Sequence, residues 1–191
     1  MDVKTLLTEI RSCTYCEQFL PHGTNPVVGF AASSKIMIIG QAPGAVVHAS
    51  GIPWDDASGN RLRDWMGISK TDFYDESKVA IVPMGFCYPG KGKSGDLPPR
   101  PECAPLWHDK IWEHLKEVEL TLLIGQYAQA AYIGDRKEKT LTETVRKFKT
   151  FLPEFLPLPH PSPRNNIWMR KNEWFEIEVL PELKKIVKDL L

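Results

Sequence analysis

The sequence has no excess charge of either sign and no long apolar run. Its 191 residues include 24 Lys and Arg against 24 Asp and Glu, so the formal net charge is zero. A surface that is positive throughout is therefore excluded, and any nucleic-acid contact must come from a local patch. No segment approaches the roughly 18 uninterrupted apolar residues of a membrane helix. The first residues, MDVKTLLTEIRS, lack the apolar core of a signal peptide, so we expect a cytoplasmic protein without membrane contact.

The chain also has few cysteines and no internal repeat. Cys13, Cys16, Cys87 and Cys103 form an even set, but a chain of this length in a reducing compartment has little use for disulfides. Cys13 and Cys16 form a CxxC pair, which is a common metal-binding unit. Zinc and a 4Fe-4S cluster both accept four thiolates. The spacing is thus compatible with zinc, with a cluster, or with four free thiols and no cofactor.

Proline is the residue that the sequence has in excess, and its prolines are clustered. Five of the 16 prolines lie in residues 89–105 and five in residues 153–163. Because proline fixes φ and removes a backbone N–H donor, these two windows predict stiff, non-helical loops.

Short apolar runs alternate with helical patterns along the chain. Runs that fit buried strands cover residues 35–39, 79–82, 120–124 and 155–158, and each is followed by Gly or Pro. Helices are predicted over residues 3–10, 60–66 after a cap at Ser58, 102–115, 126–133, 141–149 and 174–190. The alternation predicts an α/β fold with a mostly parallel four-stranded sheet covered on both faces, as three α/β/α layers. One domain over residues 1–191 is expected.

Ligands of such sheets bind beyond the carboxyl ends of the strands, in this chain in loops 40–59, 83–101, 125 onward and 159–170. The first loop begins GQAPG, residues 40–44, whose glycines let the backbone approach a ligand, although a tight turn without a ligand is an alternative. The last loop begins HPSPRN, residues 160–165. Two prolines bracket His160 at the strand end, which favours a catalytic or binding role for this side chain.

Together these residues resemble the uracil-DNA glycosylase superfamily, and the resemblance covers nearly the whole chain. GQAPG looks like the first superfamily motif, which usually reads GEAPG in the iron–sulfur family 4. HPSPRN looks like the second motif of the single-strand-selective monofunctional branch. LLIGQYAQ, residues 122–129, is similar to the strand-to-helix step between the motifs. The four cysteines resemble the cluster ligands of family 4, which implies a structural 4Fe-4S cluster.

In such enzymes a nucleotide is flipped out of DNA and its N-glycosidic bond is hydrolysed. By resemblance, His160 donates to the departing base, Trp54 stacks on the base, and Gln41 orients the attacking water. The rest of the first motif contributes to the base pocket through Gly40, Ala42, Pro43 and Gly44.

The sequence departs from the family pattern at functional positions. Gln41 replaces the Glu of family 4 and Ala42 replaces an Asp of another branch, so Asp55 or Asp56 is expected to substitute. Pro83 replaces the Asn that reads the uracil edge. Recognition of the base is then left to Gln41 or to backbone groups at Met84 and Gly85.

Two basic loops are expected to contact DNA phosphates. Their candidate DNA-binding residues are Lys91, Lys93, Ser162, Arg164, Asn165 and Arg170. Arg164, with Ile167 or Trp168, is the candidate wedge that fills the place of the flipped base. The predicted protein is a monomeric, monofunctional DNA glycosylase that acts on uracil or another damaged base in single- or double-stranded DNA. The alternative, which Gln41 and Pro83 motivate, is a nucleic-acid-binding superfamily member with weak or lost uracil excision.

Overall fold

A computed structural model describes residues 2–191. The strands are β1 (Ile36–Ile39), β2 (Val79–Ile81), β3 (Lys91–Gly92), β4 (Gly95–Asp96), β5 (Leu120–Ile124) and β6 (Phe155–Leu158). The helices are α1 (Val3–Arg11), α2 (Ala45–Ser50), α3 (Ala57–Met66), α4 (Lys70–Phe73), α5 (Cys103–Trp112), α6 (Gly125–Ile133), α7 (Leu141–Arg146), α8 (Asn166–Lys171) and α9 (Leu180–Leu190).

The main sheet has four parallel strands in the order β2-β1-β5-β6, which confirms the predicted α/β fold. Ile36 of β1 lies opposite Val79 of β2 and Leu120 of β5. The chain runs from β1 to one neighbour and later returns to the other side of β1. A crevice therefore opens beyond the carboxyl end of β1, where the GQAPG turn begins.

Alternate residues of each strand face the two sides of the sheet, and helices cover both sides. Ile36 and Ile38 belong to a buried cluster with apolar side chains of α3, α7 and α9. Met37 and Ile39 belong to a second cluster with side chains of α1, α5 and α6. The strands are buried on both faces, which is why they read as continuous apolar runs.

Several predicted boundaries were wrong. The helix expected at residue 60 begins at Ala57, because the Asp56 carboxylate and not Ser58 is its N-cap and accepts the N–H of Gly59 at 2.8 Å. The helix predicted over 174–190 begins with a π turn, Phe175–Val179, before α9. Pro181 explains the wider turn, since it has no N–H for the carbonyl of Ile177.

The predicted loops hold more structure than expected. Loop 40–59 contains α2, loop 83–101 contains the β3–β4 hairpin, and loop 159–170 contains a 3₁₀ turn, Pro163–Asn165, and most of α8. Each of these elements is six residues long or shorter, so none develops a periodic apolar pattern. The predicted helices over 102–115 and 141–149 are also shorter, ending as α5 at Trp112 and as α7 at Arg146.

None of the helices within residues 2–191 combines the length and the apolar character that crossing a bilayer requires.

Candidate active site

A cavity of about 470 Å³ opens at the carboxyl edge of the sheet. Its walls are the GQAPG turn (residues 40–44), the segment around Trp54, the β3–β4 hairpin and the HPSPRN loop (residues 160–165). Of the residues singled out in the sequence, it brings together Gly40, Gln41, Ala42, Pro43, Gly44, Trp54, Asp56, His160, Ser162, Arg164 and Asn165. The two motifs, which are separated by residues 45–159 of the chain, thus form one site.

His160 is held in one tautomer. Its Nδ1 accepts the backbone N–H of Ser162 at 3.1 Å, so a neutral ring carries its proton on Nε2. Burial lowers the pKa of His160, while the charges of Asp56 and Asp96 raise it by less. His160 therefore presents a neutral N–H donor at ordinary pH.

The remaining polar groups of the HPSPRN loop fix its shape. Asn165 Nδ2 donates to the His160 carbonyl at 2.7 Å, and the Ser162 hydroxyl accepts the N–H of Arg164 at 3.2 Å. From α3, Arg61 Nη1 donates to the Ser162 carbonyl at 3.1 Å. The loop is thus anchored both internally and to a neighbouring helix before any ligand binds.

Trp54 lies between the two motifs in a strained backbone conformation. Its φ is +56°, which side chains of this size rarely adopt, and its ring centroid is 5.7 Å from that of His160. The Trp54 carbonyl oxygen accepts a hydrogen bond from Arg63 Nη1 at 3.2 Å. A Cβ on Gly59 would lie only 1.7 Å from the same oxygen, so residue 59 has no room for a side chain. A Cβ on Gly40 would lie 3.0 Å from the Trp54 ring. Two glycines and a buried arginine therefore hold this ring at the cavity.

The side chains near Gln41 are largely committed to structure. Gln41 Nε2 donates to the carbonyl of Leu97 at 2.9 Å, which ties the GQAPG turn to the segment after β4. Asp56 caps α3. Asp55 pairs with Lys70 at 3.1 Å and is not among the cavity-lining residues, so the structure does not bring it to the site.

The backbone N–H groups of the two residues expected to read the base are also occupied. The N–H of Met84 donates to the Gly40 carbonyl at 2.9 Å, and that of Gly85 donates to the Gln41 carbonyl at 3.0 Å. Neither residue lines the cavity, so this expectation is corrected. Pro83 does line it, and its carbonyl accepts Nε2–H of the buried His108 at 3.0 Å.

The comparison with known protein families agrees with this arrangement. The family model described as the Uracil DNA glycosylase superfamily matches residues 28–184. The chain belongs to this superfamily. Membership implies DNA glycosylase-type chemistry on a DNA substrate, and both motifs of the cavity fall within the matched residues.

The residues expected to meet DNA in this superfamily member lie in different places. Lys91 and Lys93 are exposed on the β3–β4 hairpin, and an Arg164 guanidinium nitrogen lies 3.6 Å from the Cβ position of Gly95 on the same hairpin. Arg170 instead lies in a separate groove with three acidic residues, Asp64, Glu173 and Glu176. The two basic loops thus meet at the cavity rim, but without Arg170.

Of the two apolar wedge candidates, one is free to act. Ile167 on α8 is 61% exposed. Trp168 packs edge-on against Trp174 and Phe175, and its indole N–H donates to Thr142 at 2.8 Å. Trp168 is therefore half-buried and packed against the core, and it lines a second cavity with Gln41 and His160, so its side chain is held by the fold and not exposed as that of Ile167 is.

The four cysteines of this superfamily member line one small apolar pocket with Phe86 and Trp107. The backbone N–H of Phe86 points to Cys103 Sγ at 3.4 Å. Within residues 2–191, no three His, Cys, Asp or Glu side chains converge closely enough to ligate a single ion. Arg100, at the edge of this pocket, is paired with Glu102 at 2.6 Å.

Sequence reasoning missed two groups of this site. Asp96 lines the cavity from β4, and its carboxylate accepts the hydroxyl of Tyr88 at 3.4 Å. Ser94 lines it from the hairpin turn. In the sequence Asp96 is an ordinary turn carboxylate beside two lysines, and only the pairing of β3 with β4 aims it at the cavity.

Proposed function

We propose that the protein is a monofunctional DNA glycosylase that hydrolyses the N-glycosidic bond of a damaged base flipped into the cavity. The observation that carries this proposal is His160, which lines the cavity together with Trp54 and whose Nδ1 accepts the Ser162 N–H, so that the neutral ring carries its proton on Nε2. The superfamily match supports the same reaction class.

The chemistry of base release explains why a neutral histidine is useful. When the bond from the sugar to the base breaks, both electrons leave with the base, which becomes an anion. A preorganised donor near the forming anion lowers the barrier because it stabilises charge that develops in the transition state. The Ser162 amide fixes the donor on Nε2, and burial keeps the ring neutral by lowering the pKa of His160.

Trp54 supplies a wall against which a flipped base can stack. An aromatic face holds a base without reading its edge, at about 1–3 kcal/mol per stacked base. The strained backbone of Trp54, fixed by Arg63 and by the absence of a side chain at Gly59, supports a binding role for its ring.

The groups that line the cavity support a monofunctional reaction. A glycosylase that also cuts the strand forms an imine between an amine and the sugar. In the described part of the chain, no lysine is among the cavity-lining residues. Water is then the nucleophile.

The base released is uracil or another damaged base, with a recognition mode unlike the paired amide hydrogen bonds of family 4. Pro83 offers no side-chain donor, and its carbonyl already accepts His108. Shape and stacking then contribute more to selection than edge reading does.

The direct test is incubation of the protein with single- and double-stranded oligonucleotides that each contain uracil or another damaged base, followed by cleavage of abasic sites. We expect strand cleavage with at least one substrate and loss of that cleavage in His160→Ala. Absence of any base release from the whole panel would reject the proposal.

A second candidate is a DNA-binding superfamily member that has lost excision. It is favoured by Gln41, whose amide is bonded to Leu97, and by the missing base-reading side chain at Pro83. This candidate predicts salt-sensitive DNA binding, since the rim lysines Lys91 and Lys93 contact phosphates in both cases. Binding with unprocessed damaged bases would favour it over the enzyme.

We also propose that Cys13, Cys16, Cys87 and Cys103 hold a structural 4Fe-4S cluster. A zinc ion with bonds of about 2.3 Å needs its four sulfurs about 3.8 Å apart, whereas a cubane cluster is larger and takes thiolates that line a pocket without converging on one point. The shared pocket and the N–H of Phe86 directed at Cys103 support the cluster. When bound, it ties the segment after α1 to the start of α5.

The cluster proposal is tested by iron, sulfide and zinc analysis of protein purified without oxygen, together with its visible spectrum. Four irons and four sulfides per chain, and a brown colour lost in Cys87→Ser, are expected. One zinc per chain, or neither metal, would reject the cluster.

A further inference from the structure

The cavity contains a carboxylate that neither motif accounts for. Asp96, at the end of β4, lines the same cavity as His160 and Gln41. Its Oδ1 accepts the Tyr88 hydroxyl at 3.4 Å. The buried Tyr88 ring is itself stacked on His22, with 5.3 Å between the ring centroids. The buried Tyr88 thus orients the Asp96 side chain through its hydroxyl, although Asp96 itself is exposed to solvent.

The other carboxylates near the site have structural tasks. Two acids, Asp56 and Asp96, line the cavity in the described part of the chain. Asp56 accepts the N–H of Gly59 as the cap of α3, and Asp55 pairs with Lys70 outside the cavity. The Oδ2 of Asp96 has no such partner among the described hydrogen bonds and ion pairs.

Asp96 is also coupled to the first motif. Its Oδ2 lies 3.6 Å from the position that a Cβ on Gly44 would take, so it faces the GQAPG turn. Gln41 bonds the carbonyl of Leu97, the next residue after Asp96. The turn that lacks a carboxylate and the hairpin that carries one are therefore held together.

We propose that Asp96 is a catalytic residue that orients and deprotonates the water attacking the sugar. This inference rests on the proposed glycosylase function. In the reaction the C1′–N bond breaks and its electron pair leaves with the base, while the water oxygen forms a bond to C1′. One proton of the water passes to the Asp96 carboxylate and then to solvent, and the released base takes a proton from solvent. The negative charge of Asp96 also stabilises the cation-like sugar.

This role has an unusual signature, because a carboxylate at a DNA-binding rim repels phosphates. Asp96→Asn is expected to lower the single-turnover rate of base release by about 10²- to 10⁴-fold, the usual range for a general base. The same variant is expected to bind substrate DNA equally well or about 2- to 5-fold more tightly, since one rim charge of the wrong sign is removed. A residue that only supports the fold would not lower the rate while preserving or improving binding.

The experiment compares wild-type protein, Asp96→Asn, Asp56→Asn and Asp189→Asn in base release, DNA binding and thermal unfolding. Asn retains the capping ability of residue 56, so Asp56→Asn tests the rival cavity carboxylate without removing its cap. Asp189 lies exposed on α9, and its substitution controls for loss of one negative charge. Tyr88→Phe removes the hydroxyl on Asp96 and is expected to slow release by about 2- to 10-fold.

The outcomes separate this inference from the proposed function. An active wild type, with a rate loss in Asp96→Asn at unchanged stability and undiminished DNA affinity, supports the role of Asp96. An active wild type with Asp96→Asn within about threefold of it overturns the inference alone, as does a rate loss confined to Asp56→Asn. A loss in Asp96→Asn accompanied by weaker binding or lower thermal stability assigns a structural role and also overturns it. A wild type inactive on every base rejects the proposed function and this inference with it.

Discussion

The HPSPRN loop and the GQAPG turn face the same cavity, but they differ in what their polar groups do. In the HPSPRN loop, backbone and side-chain bonds converge on His160 and leave its Nε2–H group uncommitted. In the GQAPG turn, the Gln41 amide nitrogen donates a hydrogen bond to the carbonyl of Leu97. The first loop is arranged as a prepared donor, whereas the second is arranged as a support for the hairpin.

This difference separates two halves of the proposed reaction. Departure of the base needs a donor, and the HPSPRN loop retains one. Attack by water needs an acceptor, and the GQAPG turn has no carboxylate, while the hairpin attached to it has Asp96. In the proposed reaction, one half of the chemistry therefore stays on the HPSPRN loop while the other half depends on the hairpin attached to the GQAPG turn.

The largest expected effect comes from truncating one polar side chain in each motif, His160 in the HPSPRN loop and Gln41 in the GQAPG turn. His160→Ala is expected to lower the rate of base release by about 10²- to 10³-fold, as for loss of one oxyanion donor. Gln41→Ala is expected to lower it by less than about tenfold, because it removes a tether and not a reacting group. Single-turnover base release measures both. Equal losses in the two variants would contradict the asymmetry.

A second test addresses Trp54, which lies between the two motifs. A methyl group at residue 59 would meet the Trp54 carbonyl at 1.7 Å, so Gly59→Ala is expected to lower the free energy of unfolding by about 1–3 kcal/mol and to slow base release. The sign is diagnostic, since Ala normally favours a helix over Gly, by up to about 1 kcal/mol in a helix interior. Urea denaturation and base release measure the two effects.

Gly51→Ala is the matched control. Gly51 has φ +71° and nothing within 4 Å of its Cβ position. Gly51→Ala is therefore expected to lower the free energy of unfolding by about 1 kcal/mol, because of the left-handed backbone alone. Base release by Gly51→Ala should equal that of the wild type. A Gly59→Ala protein as stable and active as the wild type would mean that the position of the Trp54 carbonyl is unimportant.

The fold was predictable because its strongest signals are local. Four buried strands, each followed by Gly or Pro, directly indicate a parallel sheet. The site was then expected in the loops at the carboxyl edge of that sheet. Short elements such as α2, α8 and the β3–β4 hairpin were not predicted, because six residues or fewer are too few to show a periodic pattern of apolar residues. Asp56 in place of Ser58 as the cap shows that several capping residues in a row leave the boundary undetermined.

Site residues were predictable where a sequence motif defines them. They were less predictable where the role of a side chain depends on contacts with residues distant in the sequence. His160 and Trp54 lie where their motifs indicate. The amides of Met84 and Gly85, the Asp55 carboxylate and Trp168 are committed to distant partners that no local pattern reveals. Asp96 was missed for the converse reason, since its place in the cavity comes from a hairpin of two-residue strands.

The pH dependence follows from the buried histidines. Burial lowers the pKa of both His160 and His108, so the unfolded chain binds more protons than the folded one below about pH 6.5. The free energy of unfolding should therefore fall as the pH drops through this range, and base release should persist below pH 6.5 while His160 stays neutral. Urea titrations from pH 5 to 8 measure the first effect, and His160→Gln should show a smaller slope. An unchanged slope would place the proton uptake elsewhere.

Gln41→Glu introduces the residue that the first motif usually has in family 4 and tests whether that carboxylate speeds base release. A carboxylate cannot donate to the Leu97 carbonyl, and two acceptors would then face each other across 2.9 Å. We expect base release to fall by about 2- to 10-fold, with the hairpin less protected in hydrogen exchange. A rate above that of the wild type would return the water site to the GQAPG turn and would weaken the case for Asp96.

The smallest expected effect concerns the wedge beside the HPSPRN loop. Ile167 is 61% exposed, so Ile167→Ala should change the free energy of unfolding by less than about 0.5 kcal/mol. It should slow base release from double-stranded DNA by severalfold and leave release from single strands unchanged, because only a duplex has a vacated stack to fill. Trp168→Ala, one residue further, should instead lower stability by about 2–4 kcal/mol and slow release from both substrates. If Ile167→Ala affects single and double strands equally, then Ile167 is not a wedge, and Arg164 is left as the group that enters the duplex.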